Sequence, residues 1–523
     1  MPQTLAEVST SSPSTISADS SGKIDRRHDL DALRAVAMLL GIVLHAALSF
    51  APIPWMVSDS QQNGLFEILF ACIHGFRMPL FFLLSGFFTA MLWRKRGLGS
   101  LICQRAKRIA LPLFVCCLTI LPLMWAVIFL VNQPAEPTDD GVYEAVISGD
   151  IERLRDRLAE SNVDVNVIPS GSGSSPLSTA VFLGHTEMVE LLVASGADVN
   201  VPNPDLATPL HIACFMGRAA SAKILLQSGA NTSVLNGTGQ TPADVLETDF
   251  GTTQMVAGQF GVQLDEIGLR QGRAEIAKQL GVSGFQNDKI AASVGFSGLS
   301  MLLFHVPVFM HLWFLWFLCW FLILFLVYVP IANVLAIRSL PRWLLCSPLS
   351  LFWLIPLTML PQSFMAPTTF GPDSSGGLLP IPSVFFYYSI FFFLGAVYWD
   401  VDDVEGKLGR SWFVVLPIAL FGVFPIGLDV VTGQIGVVPS FENRSTQTTL
   451  GNFLQATFTW LTIFGLIGLF RAMLSDESKR LRYLSDASYW LYLAHLPLVL
   501  VAQWLVRDWP IPSFVKFVGV TIA

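Results

Sequence analysis

Apolar residues along this 523-residue chain fall into long continuous runs. An apolar run of about 17 to 25 residues is long enough to cross a lipid bilayer as a helix. The runs lie at residues 32–50, 65–93, 109–131, 311–333, 345–361, 382–399, 411–428, 449–470 and 488–506, and a last one begins near 514. The pattern therefore predicts an all-α fold, a polytopic bundle of about ten transmembrane helices.

The segment between the third and fourth runs has the composition of a soluble domain. Within it, Ser175-Pro-Leu, Thr208-Pro-Leu and Thr241-Pro-Ala recur at a spacing of 33 residues. Ankyrin repeats have this period, and Thr208-Pro-Leu-His-Ile-Ala resembles their signature. We therefore expect an inserted α-solenoid of ankyrin repeats, with residues 142–158 as its N-terminal cap and residues 272–281 as a degenerate last unit.

Composition and loop charge predict the location of the protein and its orientation. Hydrophobic residues make up 53% of the chain and charged residues 13%, which is typical of a polytopic membrane protein and not of a soluble one. Lysine and arginine collect in the loops after the second, fourth, sixth and eighth runs. These residues are Arg94 to Arg108, Arg338, Arg342, Lys407, Arg410, Arg471, Lys479, Arg480 and Arg482. By the positive-inside rule, these loops and the N-terminus are cytoplasmic, and the protein is expected in the cell (inner) membrane.

These patterns divide the chain into four segments. They are a disordered tail at 1–26, a first membrane part at 27–134, the ankyrin insertion at 139–282 and a second membrane part at 295–523. Because the insertion follows the third run, we expect it on the non-cytoplasmic side. Ankyrin arrays bind proteins through a concave surface, so an unknown protein is the predicted partner. A rigid spacer without a partner is the alternative.

The first run has a charged entrance and a histidine well inside it, in the stretch DALRAVAMLLGIVLH from Asp31 to His45. Arg34 and His45 are eleven residues apart, which returns nearly to the same helix face. The helical rise separates them by about 16 Å, roughly half a bilayer core. An arginine at the membrane edge and an imidazole near the midplane would then face one cavity. The alternative is an arginine that reaches the headgroups and a histidine satisfied by a neighbouring helix.

Other ionisable residues inside the runs are candidates for the same cavity, because such residues are costly in a membrane and by default mark function. Arg77 lies in the middle of the second run, where an arginine costs at least about 2.5–3.5 kcal/mol to insert. Pro79 beside it favours a kink, and His74 lies one turn earlier. Asp31 lies one turn before Arg34 and can orient it through an ion pair, or simply favour the helix N-terminus.

The remaining polar residues are weaker candidates. His311 precedes an aromatic run, where packing in an interfacial belt is the simpler interpretation. Ser485, Asp486 and Ser488 are expected to cap the ninth helix. His495 within that helix is expected to face the interior without acting as a base. The seven cysteines lack metal-ligand spacing, and we expect no bound metal or cofactor.

Five stretches together resemble one known family. They are LDALRAVAMLLGIVLHAAL at 30–48, FRMPLFFLLSGFF at 76–88, RAKRIALP at 105–112, HLWFLWFL at 311–318 and RYLSDASYWLYLAHLPLV at 482–499. They resemble the acyltransferase 3 family of integral membrane acyltransferases, in the branch that includes glucan succinyltransferases. The family hallmark is a basic residue, ten intervening residues and a histidine, met here by Arg34 and His45. Since the family's last helix is usually complete, the short final run predicts that this chain is a fragment.

The resemblance implies transfer of an acyl group, of the acetyl or succinyl type, to a hydroxyl of a carbohydrate or glycan. It implies a cytoplasmic acyl-thioester, acyl-CoA, as the donor. His45 is the candidate base, because a neutral imidazole can accept a proton near pH 7. Arg34 is expected to anchor the anionic part of the donor, and Arg77 to line the active site. Asp31 and His74 are expected to assist in substrate binding.

Other classes of protein stay open. A transporter is also a bundle with buried charges, but it would predict repeats between the two halves, and none is seen. A non-catalytic membrane-anchored ankyrin scaffold would predict loss of Arg34 or His45, and both are present. Ankyrin-bearing channels usually carry their arrays in cytoplasmic tails. The expected partners are membrane lipid, acyl-CoA, a glycan acceptor and the ankyrin partner, and no nucleic acid.

Overall fold

The computed structural model describes residues 27–131, 141–282 and 303–523, with gaps at 54, 161–162, 169–172, 204, 238, 249, 305, 335–339, 366–369, 434, 439–440, 442 and 476–478. These residues form helices and loops, and no strand occurs among them. The predicted all-α fold with an ankyrin insertion is confirmed. The predicted tail at 1–26 and the joints at 132–140 and 283–302 lie outside the described residues, so the domain boundaries stay predictions.

The first membrane part contains a helical hairpin. Its helices are α1 (His28–Leu48), α2 (Gly64–Arg105), a π-helical turn (Ala106–Ala110), α3 (Leu111–Leu118) and α4 (Ile120–Val131). Gly97 within α2 has φ 77° and ψ 171°, a conformation open to glycine. Arg105 donates a hydrogen bond of 2.8 Å to Thr89, although a straight helix would hold the two residues about 24 Å apart. The chain therefore folds back at Gly97.

The insertion is a stack of helix pairs around one apolar core. Its helices are α5 (Gly141–Ser148), α6 (Ile151–Leu158), α7 (Pro176–Leu183), α8 (Thr186–Ala194), α9 (Pro209–Met216), α10 (Ala219–Gln227), α11 (Pro242–Val245), α12 (Phe250–Gln259) and α13 (Glu266–Gln279). Ser175, Thr208 and Thr241 begin their repeats as N-caps with proline at the first helical position. The predicted cap forms α5 and α6, and the predicted last unit forms the second half of α13, where Ile276 joins the core.

The second membrane part completes the bundle. Its helices are α14 (Trp313–Val334), α15 (Arg342–Cys346), α16 (Ser350–Gln362), α17 (Pro382–Val401), α18 (Trp412–Pro417), a π-helical stretch (Ile418–Val423), α19 (Phe424–Thr432), α20 (Arg444–Met473), α21 (Lys479–Val506) and α22 (Ser513–Ile522). Helices α2 and α17 pack with their backbones in contact. A Cβ at Gly86 would lie 1.8 Å from the carbonyl oxygen of Phe392, so only glycine allows this approach.

The predicted count of about ten spans is not confirmed. Seven helical stretches among the described residues are long and apolar enough to cross a bilayer. One of the seven, Gly64–Val131, holds the second and third predicted runs, joined at Gly97. The fifth and tenth predicted runs form helices α16 and α22, of 13 and 10 residues. Both helices are shorter than the roughly 20 residues that a crossing requires.

Basic side chains meet at one end of the bundle. Arg94 pairs with Asp400 at 2.8 Å, Arg342 donates to the carbonyl of Val401 at 3.0 Å, and Arg471 donates to the carbonyl of Asp403 at 2.9 Å. The start of α1 belongs to the same end, since the Arg34 guanidinium lies over the ring of Phe88. At the far end, Val131 packs in one cluster with Val57 and Leu500. The chain therefore enters the ankyrin insertion at the end opposite the basic loops.

Candidate active site

Three histidines from different parts of the chain meet inside the bundle. Nδ1 of His45 on α1 lies 2.7 Å from Nε2 of His495 on α21. Nδ1 of His495 donates to the carbonyl oxygen of Tyr492 at 2.6 Å. His311, just before α14, donates from Nε2 to the carbonyl oxygen of Leu493 at 3.1 Å, and its ring meets the His495 ring edge to face at 5.6 Å. The cluster therefore joins three elements.

The last turn of α1 explains how His45 is held. Helix carbonyls in the last turn lack intrahelical donors, and α1 ends at Leu48. Gln503 of α21 supplies the missing donors, because its side-chain amide donates to the carbonyl oxygens of His45 at 2.9 Å and Ala46 at 3.2 Å. Its amide oxygen accepts from Nε1 of Trp55 at 3.0 Å. The Trp55 ring lies nearly parallel to the His45 ring, with centroids 6.0 Å apart.

A buried arginine of α2 lies beside α1, one helical turn before His45. Arg77 of α2 is 6% exposed, and its guanidinium lies 5.5 Å above the ring of Tyr492. Gly41 makes room for both groups, since a Cβ there would lie 2.3 Å from Nη1 of Arg77 and 2.4 Å from Cε2 of Tyr492. Nε of Arg77 has no hydrogen-bond partner among the described residues. An unpaired buried N–H is costly, so this group is ready to bind a substrate oxygen.

Arg77 lines a small cavity between four helices. The walls are otherwise mainly apolar and come from Ala37, Met38, Met78, Phe81, Phe314 and Tyr492. Ala37 and Met38 lie between Arg34 and His45 along α1, so the cavity lies on the stretch of helix between those two residues. A cation in apolar walls would exert a strong field on a carbonyl placed beside it, because little solvent screens the charge.

Arg34 lies at the basic end of the bundle. It pairs with Asp31 at 3.2 Å and donates to Oγ of Ser485 at 3.1 Å, and its side chain is 27% exposed. The predicted i,i+3 pair is therefore present. The uninterrupted helix α1 separates Arg34 from His45 by about 16 Å. The two residues therefore lie about three helical turns apart on α1.

Two sequence-based interpretations are wrong. Ser485 was expected to cap the ninth helix, but α21 already begins at Lys479, and Ser485 is buried where it donates to the carbonyl oxygen of Asp31 at 3.2 Å. The predicted start was too late because the first turns of α21 are basic and lie outside the apolar run. His311 was assigned to an interfacial belt, but it is 6% exposed and packs against His495.

His74 packs beside the cluster rather than in it. Its ring stacks on Phe70 with centroids 5.1 Å apart. A Cβ at Gly371 would lie 2.4 Å from Cδ2 of His74, so the loop after α16 covers the ring. His74 is one turn from Arg77 on α2, as the sequence predicted. Its part in substrate binding stays a prediction.

Sequence reasoning missed how much of the site belongs to α21. Tyr492, His495 and Gln503 all contact the groups around His45. The available signal was the cost of a histidine and a glutamine inside an apolar run. Trp55 carried no signal of its own, because a tryptophan near a membrane interface is ordinary.

Comparison with known proteins identifies the class. A family described as an acyltransferase domain matches residues 27–149 and 280–523, and three copies of ankyrin repeats match residues 142–236. Since the first match covers well over half of the chain, this protein belongs to the acyltransferase 3 family, with an ankyrin array inserted in its membrane domain. The predicted class of acyltransferase and the multi-pass membrane character are confirmed at the level of the family.

Individual relatives match over shorter stretches. Glucans biosynthesis protein C of Escherichia coli (strain SMS-3-5 / SECEC) is 34% identical over 108 residues, which are 21% of this chain and 27% of that protein. The protein of the same name from Escherichia coli (strain K12) is 33% identical over 108 residues. The matches thus span about a quarter of these relatives. The solved ankyrin repeat domain of Bcl-3 is 33% identical, with a TM-score of 0.19, and covers 20% of this chain and 45% of that one.

Proposed function

We propose that this protein transfers an acyl group from a thioester donor to a hydroxyl of a carbohydrate or glycan, with His45 as the general base. One observation carries the proposal. Inside the acyltransferase domain, His45 is held by His495 at 2.7 Å. Nη1 of buried Arg77 lies beside Gly41, one helical turn before His45, and Nε of Arg77 has no hydrogen-bond partner in the described part of the chain. A base and a cation in an apolar interior are what acyl transfer to a hydroxyl needs.

The proposed step uses both groups. The imidazole of His45 takes the proton of the acceptor hydroxyl while the oxygen attacks the thioester carbonyl. The new C–O bond forms, and the carbonyl oxygen gains negative charge that Arg77 stabilises. The C–S bond then breaks, and the leaving sulfur receives the proton from the imidazolium of His45. Transfer is complete with a neutral His45 restored.

Arg34 has a separate part in this proposal. It lies at the basic end, held by Asp31 and Ser485. Acyl-CoA carries its phosphates far from its thioester, which suits a path of about 16 Å between Arg34 and His45. Arg34 would bind the anionic part of the donor, and Asp31 would orient Arg34. His74, one turn from Arg77 on α2, is proposed to assist in substrate binding.

The proposal extends to orientation and partners. If the basic end is cytoplasmic, acyl-CoA enters there, and the glycan acceptor approaches from the far end, where the ankyrin insertion is attached. The relatives named for glucan biosynthesis support a glucan-like acceptor. The ankyrin array would then bind a protein outside the cytoplasm and bring the enzyme to its acceptor.

Mass spectrometry of cell-envelope glycans tests the activity. Cells that express the full chain should carry an acyl ester that is absent from cells with His45→Ala at equal protein level, and the added mass identifies the acyl group. His185→Ala in the ankyrin array is the control and should keep the ester. Equal ester content with wild type and His45→Ala would reject the proposed function and favour a scaffold.

A further inference from the structure

We infer that His495 is a positioning residue, which holds His45 in the tautomer that a general base requires. The tautomer follows from geometry alone. The catalytic consequence rests on the proposed function of His45.

A backbone carbonyl fixes which nitrogen of His495 carries the proton. Nδ1 of His495 lies 2.6 Å from the carbonyl oxygen of Tyr492, and a carbonyl oxygen can only accept. Nδ1 of His495 therefore carries a hydrogen. A neutral imidazole has one N–H, so Nε2 of His495 is an acceptor. The neutral form is favoured in this interior because burial of a charge is costly.

The hydrogen bond to His495 in turn fixes which nitrogen of His45 carries the proton. The contact of 2.7 Å between Nδ1 of His45 and Nε2 of His495 needs one donor and one acceptor. Since Nε2 of His495 accepts, Nδ1 of His45 donates. Nε2 of His45 is then left with its lone pair, which is the nitrogen state that takes a proton from a hydroxyl. The chain of hydrogen bonds runs from His45 through His495 to the backbone of α21.

The surroundings keep His495 in place. The Tyr492 ring stacks on the His495 ring with centroids 5.0 Å apart, and the His311 ring meets it at 87°. His311 is itself tied to α21 through the carbonyl of Leu493. His495 is 5% exposed and makes its bond to Tyr492 within its own helix. An acceptor held in this way orients a catalytic imidazole as a carboxylate does in hydrolase triads.

Nitrogen NMR reads the tautomer without any substrate. The full chain is labelled with ¹⁵N-histidine and reconstituted in lipid, and the His45 signals are assigned by their loss in His45→Gln. We expect Nδ1 of His45 to be protonated and Nε2 to be unprotonated in the wild type. His495→Leu removes this acceptor and leaves the Gly41 carbonyl beside the ring, so the share of this tautomer should fall, whereas His495→Gln offers an amide oxygen and should retain it. A wild-type His45 protonated at Nε2 would overturn the inference, whatever the activity.

Kinetics test the consequence. In single-turnover transfer, His495→Leu should lower the rate at least about 100-fold, because a misoriented imidazole tautomer costs up to about 10⁴-fold in a comparable triad. The acyl-CoA concentration that gives half of the maximal single-turnover rate should change less than about threefold, since His495 lies away from the basic end. His495→Gln should recover to within about tenfold of wild type. Equal rates for wild type and His495→Leu would reject the positioning role. An inactive wild type with the expected NMR pattern would instead reject the proposed function alone.

Discussion

Gly41 and Arg77 face each other across the contact of α1 and α2, and a methyl group at position 41 would overlap the guanidinium, at 2.3 Å from Nη1. The same methyl group would lie 2.4 Å from the Tyr492 ring. Because Gly41 has no side chain, the Arg77 guanidinium can lie against α1 near His45. A substitution at Gly41 therefore tests the position of the Arg77 guanidinium without removing the guanidinium.

Gly41→Ala should displace Arg77 and Tyr492 and lower acyl transfer by at least about tenfold, since misplacement by about 1 Å can cost 10²-fold. Transfer rates of purified protein in lipid would measure the effect. Gly99→Ala is the matched control, because a Cβ there meets nothing within 4 Å. Unchanged activity of Gly41→Ala would show that Arg77 does not act on the reacting carbonyl.

The buried pair of Lys516 and Asp59 should behave as a unit in unfolding experiments. Their side chains are fully buried and lie 2.9 Å apart, so they tie α22 to the loop between α1 and α2. Lys516→Met leaves a buried carboxylate without its cation, which costs about 3–5 kcal/mol. The double variant with Asp59→Leu removes the orphan charge and should regain most of this loss. Thermal unfolding in detergent would measure both, and equal midpoints for single and double variants would contradict the argument.

Arg273 should be the most sensitive charged residue of the ankyrin array. Its fully buried guanidinium donates to the carbonyl oxygens of Cys214, Phe215 and Thr248 and to the hydroxyl of Thr253. Two of these carbonyls belong to the last turn of α9, where intrahelical donors run out and Cys214 receives only a long backbone bond of 3.4 Å from Gly217. Arg273→Met should destabilise the array by at least about 2 kcal/mol.

Limited proteolysis of the full chain would follow this loss as faster cleavage between α9 and α13. Arg270→Met is the control, because Arg270 is partly exposed and pairs with Glu266 on the surface of the same helix. The prediction is wrong if the Arg270 and Arg273 variants are cleaved at the same rate.

The ankyrin array should lose stability in weak acid. Burial lowers the pKa of His211 below its ordinary value of 6.5. Nδ1 of His211 accepts from the backbone and the hydroxyl of Thr208, and Nε2 donates to the carbonyl oxygen of Gln240, so a second proton would break the cap of α9. Below pH 6.5 the unfolded array binds a proton that the folded array does not, so stability is complete above pH 6.5 and falls as the pH drops.

Hydrogen exchange of the Thr208 to Met216 segment, corrected for intrinsic rates, would measure this between pH 7 and pH 5. The wild type should open more readily at pH 5. His211→Gln keeps a polar side chain without titrating and should show a smaller pH dependence. Identical pH dependence in the two proteins would exclude His211 as the cause.

The parts of this fold that were predictable from sequence are local. The 33-residue period of Thr208 and Thr241 marks a repeat wherever it occurs. The Asp31–Arg34 pair follows from one helical turn, and the helices follow from apolar runs. The span count failed for a related reason. Run length alone did not reveal that Ser347 and Pro348 separate α15 from the 13-residue helix Ser350–Gln362.

The contacts among the three histidines of the candidate site were not predictable in this way. His45 and His495 are 450 residues apart in the chain, and their contact depends on the register of α1 against α21. Nothing in either apolar run encodes that register. The same holds for His311, whose contacts with Leu493 and His495 come from the distant helix α21. Packing, not pattern, decides these contacts.

Acyl transfer by the purified protein tests the central claim most directly. The full chain and its His45→Ala variant would be reconstituted in lipid vesicles with isotope-labelled acetyl-CoA or succinyl-CoA and an oligoglucan acceptor. Label bound to the glucan and free thiol would be measured together. We predict matched thiol release and ester formation for wild type with one donor, and at least about 100-fold less for His45→Ala. Equal thiol release and ester formation by both proteins would contradict the assignment of His45 as the base.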